Sequence, residues 1–381
     1  MNRHTVSRLS AGAVSLALCA ALLTGTLSAH ATEDDTQSTQ AVSLSLEDAV
    51  TVMQTTGEAG VTAAFNRRSD EATRREKQQL IRNLERSRDN GGNADMSQLS
   101  IEELGLVFLA GHLEENNEAE KAGIAITAMT SYYNVLLDRQ SVAVSSQSLA
   151  QQQALLAQTQ RRQALGLAAA SDVKTQQNAV TTAENALTEA EAALEADLSS
   201  LKTQLGCPAD TQLILTDGIE QLQVTLPDAD AAVAAALENN LDLKLSKEYT
   251  IPKLSYERNQ TRYTGTALQR DRAELTYEEQ LTAEQKRPAQ REQEIRTAYS
   301  DLAVLDAAVK SAADSLEQAE QNAAAARRKQ SLGLASGSTV RSAELAVSNA
   351  QLAYSRTVVQ YNLSAAQLLA NLGSGSARVT L

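Results

Sequence analysis

The chain has 381 residues and a formal charge of −13, from 34 Lys and Arg against 47 Asp and Glu; aromatics make up 3% and Trp is absent. This balance argues against a nucleic-acid partner, because it supplies neither a cationic surface nor rings on which bases could stack. Three His, two Cys, four Pro and few Gly argue against a Ser-His-Asp triad, a Cys-His dyad or a Cys/His zinc site, and against a β-rich fold.

Residues 1–31 read as a secretory signal peptide. Arg3 and Arg8 make a basic start, an apolar stretch runs from Leu9 to Leu27, and Ala29-His30-Ala31 fits the small-x-small cleavage rule. The competing reading is a membrane anchor; a lipoprotein signal is disfavoured by Leu18 before Cys19. Cleavage removes His4, His30 and Cys19, leaving His112 and Cys207 alone of their kinds, so no disulfide within the chain is expected. No later stretch reaches the roughly 18 apolar residues of a spanning helix. The mature chain is therefore expected outside the cytoplasm, without a helical anchor.

Ser45-Leu46-Glu47-Asp48 predicts the capped start of a short helix. Residues 66–88 carry dense mixed charge and predict a solvated helix, followed by a loop at Asp89-Asn90-Gly91-Gly92-Asn93 and a helix capped at Ser100-Ile101-Glu102-Glu103. From there the chain repeats itself. Arg161-Arg162-Gln163-Ala164-Leu165-Gly166-Leu167-Ala168 matches Arg328-Lys329-Gln330-Ser331-Leu332-Gly333-Leu334-Ala335 at a shift of 167 residues. The same shift maps Tyr132 onto Tyr299, Ser171 onto Ser338 and Leu205-Gly206 onto Leu372-Gly373. Asp48-Ala49-Val50 resembles Ala231-Ala232-Val233 at a shift of 183, so the first copy holds about 16 extra residues near its start.

Each copy predicts a long helical hairpin. In the returning arm apolar residues recur every seven: Val173, Val180, Leu187, Leu194 and Leu201, matched by Val340, Val347, Tyr354, Tyr361 and Leu368. Ala183 and Ala190, and Ala343 and Ala350, follow three residues behind. The outgoing arm has Val135, Val142, Leu149 and Leu156, matched by Leu302, Val309 and Leu316. Sustained heptads predict coiled-coil packing, left-handed where the repeat is strict, in helices of about 40 residues and roughly 60 Å. At the hairpin tips, Gly166 and Gly333 can take the left-handed conformation that ends a helix, and Ser171 and Ser338 are expected to N-cap the next one. A turn needs the Gly but not the leucines on either side of it, which makes the tips candidates for an interaction. Between the copies, Leu213-Ile214-Leu215-Thr216 and Gln223-Val224-Thr225-Leu226 flank Asp217-Gly218, where a short β-hairpin is an option. The expected organisation is a signal peptide at 1–31, a first helical repeat at 32–206, a linker at 207–227, a second helical repeat at 228–373 and a tail at 374–381. The fold class is all-α, built from two tandem antiparallel coiled-coil hairpins.

Taken together, Leu44-Ser45-Leu46-Glu47-Asp48-Ala49-Val50, Ala236-Leu237-Glu238-Asn239-Asn240-Leu241-Asp242-Leu243, and the two Leu-Gly-Leu tips followed by Ala-rich heptads ending in Leu-Gly resemble the TolC-like outer membrane efflux protein family. The resemblance covers most of the mature chain, and it is the order and spacing of these pieces that is specific. It implies an α-barrel: a homotrimer in which each chain gives four helical strands to a twelve-helix tube that carries substrates across the envelope. It also implies that the tips, here Leu165, Gly166, Leu167, Leu332, Gly333 and Leu334, meet a periplasmic adaptor (a membrane fusion protein) bound to an inner-membrane pump. No cofactor or metal is implied.

Two departures stand out. The family carries transmembrane strands between the first helix and the long hairpin of each repeat, whereas the corresponding segments here, about 60–122 and 259–290, are charged and read helical, with only Arg262 to Leu268 hinting at a turn or strand. The missing strands favour a periplasmic or cell-wall location over an outer-membrane pore. Acidic residues that narrow the family's tube just past the second tip are replaced by Thr339 and Ser342, beside Arg341; Asp172 in the first copy is the candidate lumen gate, its other reading being a solvated acid in a first helical turn. The rival to an export-channel component is an envelope coiled-coil scaffold or adaptor-binding protein without a conducting lumen. An enzyme is disfavoured, because no carboxylate pair or histidine constellation stands out.

Overall fold

The computed structural model describes residues 41–91 and 96–381; the signal peptide expected at 1–31 and part of the loop expected at 89–93 lie outside the described residues. The expected all-α fold is observed. In chain order the elements are β1 (Ala41–Leu44), α1 (Leu46–Thr55), α2 (Glu58–Asp89), α3 (Met96–Ala164), α4 (Ala170–Leu205), β2 (Gln212–Leu215), α5 (Ala229–Asn239), α6 (Leu241–Leu245), a π-helical turn (Ser246–Thr250), α7 (Ile251–Thr264), α8 (Ala267–Ser331) and α9 (Gly337–Leu372). They fall into two compact units. One gathers residues 41–50, 128–223 and 302–363; the other gathers 51–127, 224–301 and 364–381.

In the first unit the heptads do the packing. Val135, Val173, Val180, Ala183, Ala190, Leu201, Leu302, Val309, Val340 and Tyr361 are all buried. Burying a side chain such as Leu201, which is wholly enclosed, contributes about 2 kcal/mol. Polar residues beside the seam set which helices are neighbours. Gln176 Nε2 donates to Gln152 Oε1 at 2.7 Å, joining α4 to α3. Gln151 Nε2 donates to Ser342 Oγ at 2.8 Å and Ser348 Oγ to Gln147 Oε1 at 2.6 Å, joining α3 to α9. Arg327 pairs with Glu344 at 2.8 Å, joining α8 to α9. The outgoing arm of the first copy thus lies against the returning arm of the second.

The inter-repeat β-hairpin is not formed. The strand expected near Leu213 exists, but β2 pairs in parallel with β1, Val42 opposite Leu213 and Leu44 opposite Leu215. The alternation is consistent: Val42, Leu44, Leu213 and Leu215 are buried and Ile214 is exposed. Downstream, the chain just before the would-be partner strand bonds to a side chain instead. Asn362 Oδ1 accepts from Leu222 N at 2.9 Å and its Nδ2 donates to Glu220 O at 2.8 Å. Above β1, Tyr132 Oη donates to Leu44 O at 3.1 Å and accepts from Asp217 N at 3.1 Å. The capping signal at Ser45 holds, with Asp48 N donating to Ser45 Oγ at 3.0 Å.

The second unit adds ion pairs to an apolar interior that includes Met53, Ile124, Leu241 and Ile295. The segments read as helical at 60–122 and 259–290 are helical, in α2, α3, α7 and α8. The expected cap at Ser100 is not one: α3 already begins at Met96, and Ser100 Oγ donates back to the Met96 carbonyl. Lys77 pairs with Glu102 at 2.7 Å between largely covered side chains. His112 sets Nδ1 2.8 Å from Glu115 Oε2 and Nε2 2.8 Å from Glu248 Oε2, while Lys244 Nζ lies 2.8 Å from the same Glu115 oxygen. Burial pushes the Glu115 carboxyl up, but hydrogen bonds from Lys244 and His112 outweigh it and hold the group below the ordinary glutamate range. Phe108, Leu241 and Tyr249 form a small core with Leu104, Leu245 and Val379. The π-helical turn precedes Pro252; Ile251 N bonds to Ser246 O, a widened turn just before a residue that has no N–H to give.

The tail is tied down. Arg378 pairs with Asp70, Val379 N donates to Asn116 Oδ1 at 2.8 Å, and Asn116 Nδ2 returns a bond to Val379 O at 3.0 Å. The tail passes so close to α3 that a Cβ on Gly123 would sit 2.3 Å from the Ser376 carbonyl.

Candidate functional site: the two hairpin turns

The turns at 164–170 and 331–337 lie in the first unit and share one backbone design. Gly166 has φ of 73° and Gly333 of 74°, the left-handed conformation. Gly166 N donates to Gln163 O at 2.9 Å and Leu167 N to Arg162 O at 2.7 Å; Gly333 N donates to Gln330 O at 2.9 Å and Leu334 N to Lys329 O at 2.8 Å. Both pairs make a Schellman motif, which closes the last carbonyls of a helix. Such a motif is usually accompanied by an apolar contact from the residue after the Gly to the last turn. Here that turn offers Arg161 and Arg162, or Arg328 and Lys329, and the contact is not made. Leu165, Leu167, Leu332 and Leu334 are 73%, 64%, 72% and 75% exposed. The cations suit the negative end of each helix dipole. The result is two pairs of apolar knobs, each set beside basic residues in an acidic chain.

The next helices begin two residues earlier than the sequence implied. α4 has Ala169 as its N-cap and α9 follows Ser336, so Ser171 and Ser338 stand inside the first turn. The two starts are capped by different halves of one device. At α4 the cap residue lacks an oxygen, and Asp172 Oδ2 accepts from Ala169 N at 2.9 Å. At α9, Ser336 Oγ accepts from Thr339 N at 3.2 Å, and the Ser336 and Thr339 hydroxyls lie 2.9 Å apart. Asp172 is exposed, and its carboxylate is engaged by the backbone N–H of Ala169. A polar residue at 336 with another at 339 was the signal for the true cap; the extended residues that leave a Schellman turn displace it from the serines at 171 and 338.

Among the described residues, no group of His, Cys, Asp and Glu is arranged to hold a metal ion, and no helix is long and apolar enough to cross a membrane. The returning arm leaves part of its heptad row half-covered: Leu187, Leu194, Val347 and Tyr354 are neither buried nor fully exposed. A groove of about 420 Å³ runs beside α4, lined by Leu194, Leu198, Lys202 and Cys207 among others.

No family model matches the sequence, and no curated protein matches it. Solved structures do. The chain is similar to a membrane protein from Pseudomonas aeruginosa at 13% identity, covering 88% of this chain and 91% of that one with a TM-score of 0.63. It is similar to CusC, a protein described for its transmembrane channel formation, at 13% identity over 87% of this chain and 92% of that one, TM-score 0.61. The outer-membrane channel OprN matches at 13% identity over 87% and 90%, TM-score 0.60. The likeness is one of fold: this chain has the fold of the TolC-like outer membrane channels.

Proposed function

We propose that the chain is an exported subunit of an envelope conduit, three copies of which enclose a helical tube for efflux. The observation that carries this reading is the pair of glycine turns, each holding two leucines out into solvent where the motif itself gives them no partner. In the proposal Leu165, Leu167, Leu332 and Leu334 dock a periplasmic adaptor attached to an inner-membrane pump, with Gly166 and Gly333 setting the turn that presents them. The half-covered heptad residues on α4 and α9 seat the next copy. The signal peptide at 1–31 sends the chain out of the cytoplasm, and the two helical repeats, at 32–206 and 228–373, each give one hairpin to the wall of the tube. The tube stands on the periplasmic or cell-wall side. Asp172, one per chain in the trimer, is the candidate for a ring that narrows the lumen.

Light scattering and electron microscopy of residues 32–381, paired with an export assay in cells lacking the chain, test this. The expected particle has the mass of three chains and an open lumen. A variant with Leu165, Leu167, Leu332 and Leu334 all changed to Asp is expected to stay helical and trimeric but to abolish export. A monomer or dimer without a lumen, or full export by that variant, would sink the reading and leave an envelope scaffold in its place.

A further inference from the structure

The most exposed large hydrophobic residue among those described belongs to the second unit, not to the unit that holds the leucine turns. Tyr263 is 90% exposed at the end of α7, one residue before the Thr264-Gly265-Thr266 turn into α8. Leu268, in the first turn of α8, is 63% exposed, and Leu275 is 65% exposed. Tyr256 is exposed as well. A spacing of seven puts Tyr256 and Tyr263 on one side of α7, and Leu268 and Leu275 on one side of α8. The turn is stiff rather than frayed: Thr266 N donates to Gln269 Oε1 at 2.7 Å, and Arg258 and Arg262 both reach Glu274 across the two helices, at 3.2 and 3.7 Å.

The residues about the turn itself are basic, although acids follow further along α8 at Glu278 and Glu279. Between Arg258 and Arg272 there are four arginines and one acid, Asp271, in a chain of net charge −13. Glu274 engages Arg258 and Arg262. Arg270 and Arg272 are exposed, and neither is in an ion pair with a carboxylate among the described residues. A tyrosine and leucines at the end of a rigid helical turn, with arginines just behind them, match the boundary of a lipid bilayer. Rings settle at headgroup level, short apolar side chains enter the acyl edge, and guanidinium groups meet lipid phosphates. A soluble polyanion would use the arginines but has no use for the exposed apolar side chains.

We propose that the α7–α8 turn seats the protein on an anionic lipid surface, Tyr263 and Leu268 entering the interface and Arg262, Arg270 and Arg272 contacting headgroup phosphates. The turn carries more arginines than acids in an otherwise acidic chain, so charge favours its approach over that of other segments. The inference is independent of the conduit reading, which rests on other residues in the other unit.

The test is flotation of residues 32–381 with vesicles of equal parts phosphatidylcholine and phosphatidylglycerol, against vesicles of phosphatidylcholine alone, at low and high salt. The chain is expected to float with the anionic vesicles, to do so less at high salt, and to stay behind with neutral ones. Tyr263→Ser with Leu268→Ser, and separately Arg270→Glu with Arg272→Glu, are each expected to cut the bound fraction at least about tenfold at unchanged helicity by circular dichroism. Absence of binding to the anionic vesicles overturns the proposal, as does equal binding to neutral ones. Binding that survives Tyr263→Ser with Leu268→Ser, and that soluble polyphosphate competes away, would also overturn it in favour of a polyanion site.

Discussion

The first and second copies make the same hydrogen bond in different surroundings. Tyr132 donates to the Leu44 carbonyl at 3.1 Å, and Tyr299 donates to the Pro227 carbonyl at 3.0 Å. The tyrosines are related by the 167-residue shift and their acceptors by the 183-residue shift. The residues that follow the acceptors, Ser45 and Asp228, both cap short helices, α1 and α5. Yet Tyr132 is wholly buried beside the β1–β2 pair, whereas Tyr299 remains partly exposed and, among the described residues, no such strand pair is formed around it. The duplicated framework is therefore kept by backbone-directed bonds, and the copies diverge in what covers them. Substitutions at matched positions should consequently have unmatched effects.

The widest gap is expected at Asn362. It is wholly buried, bonds the backbone of Leu222 and Glu220, and donates to Tyr133 Oη at 3.2 Å. Its counterpart one repeat earlier is Glu195, which is exposed. Asn362→Leu would leave a backbone N–H and a carbonyl without partners in the interior and is expected to cost about 3 kcal/mol. Glu195→Leu should change stability by no more than about 0.5 kcal/mol. Urea midpoints for the two variants decide it, and comparable losses would dissolve the distinction between a covered and an uncovered copy.

The tyrosines sharpen the comparison at smaller scale. In Tyr132→Phe the Leu44 carbonyl keeps Thr216 N as a donor at 3.0 Å, but the Asp217 N–H loses its acceptor. The expected cost is about 1–2 kcal/mol. In Tyr299→Phe water can replace the lost hydroxyl at the Pro227 carbonyl, and the change should stay within about 0.5 kcal/mol. Thermal unfolding of both variants under one condition would show the order, and a larger loss at Tyr299 would contradict it.

What the sequence made legible follows from the range of the interactions. The seam at Val173, Val180, Leu201, Val340 and Leu368 was readable because a heptad is a local pattern whose partners repeat the same rule. The turns were readable because a Gly between two helical stretches has one obvious conformation to offer. The caps were misplaced by two residues because Ser336 and Ser338 offer the same hydroxyl, and because at Ala169 the cap residue has none and Ser171 drew the assignment. The pairing of β1 with β2 was hidden because Leu44-Ser45-Leu46 carries a helix signal that masks the four-residue strand before it. The clasp of Arg378 on Asp70, 308 residues apart, has no periodicity at all, and the same holds for Asn362 with Leu222. Of the site, the exposed leucines were readable as residues the turn does not require, whereas the bond from Ala169 N to Asp172 could be seen only once the helix start was fixed.

The smallest effect concerns a charge that only the first copy carries. Asp138 on α3 has its carboxyl raised above the ordinary aspartate value of 3.8, first by burial and then by the negative charge of Asp197 and a hydrogen bond with it, with Arg356 opposing. The positions one repeat on are Leu305 and Ser364, so no such pair exists in the second copy. A carboxyl that holds its proton more tightly when folded binds more protons in the native state than in the unfolded one. Stability contributed at this position is therefore present at low pH and falls as pH rises from the ordinary aspartate value through the folded one. Asp138→Asn keeps a donor toward Asp197 and removes the charge. The melting temperature of the variant should match the parent near pH 3 and exceed it near pH 7 by about 1 °C, since the group is partly solvated and the repulsion screened. Glu115, held low by Lys244 and His112, has the opposite sign: it supports the fold above the ordinary glutamate range and loses that support as pH falls. A gain from Asp138→Asn that is as large in acid as at neutrality would mean that the residue acts through packing, and the first copy would then carry no titrating pair for the second to lack.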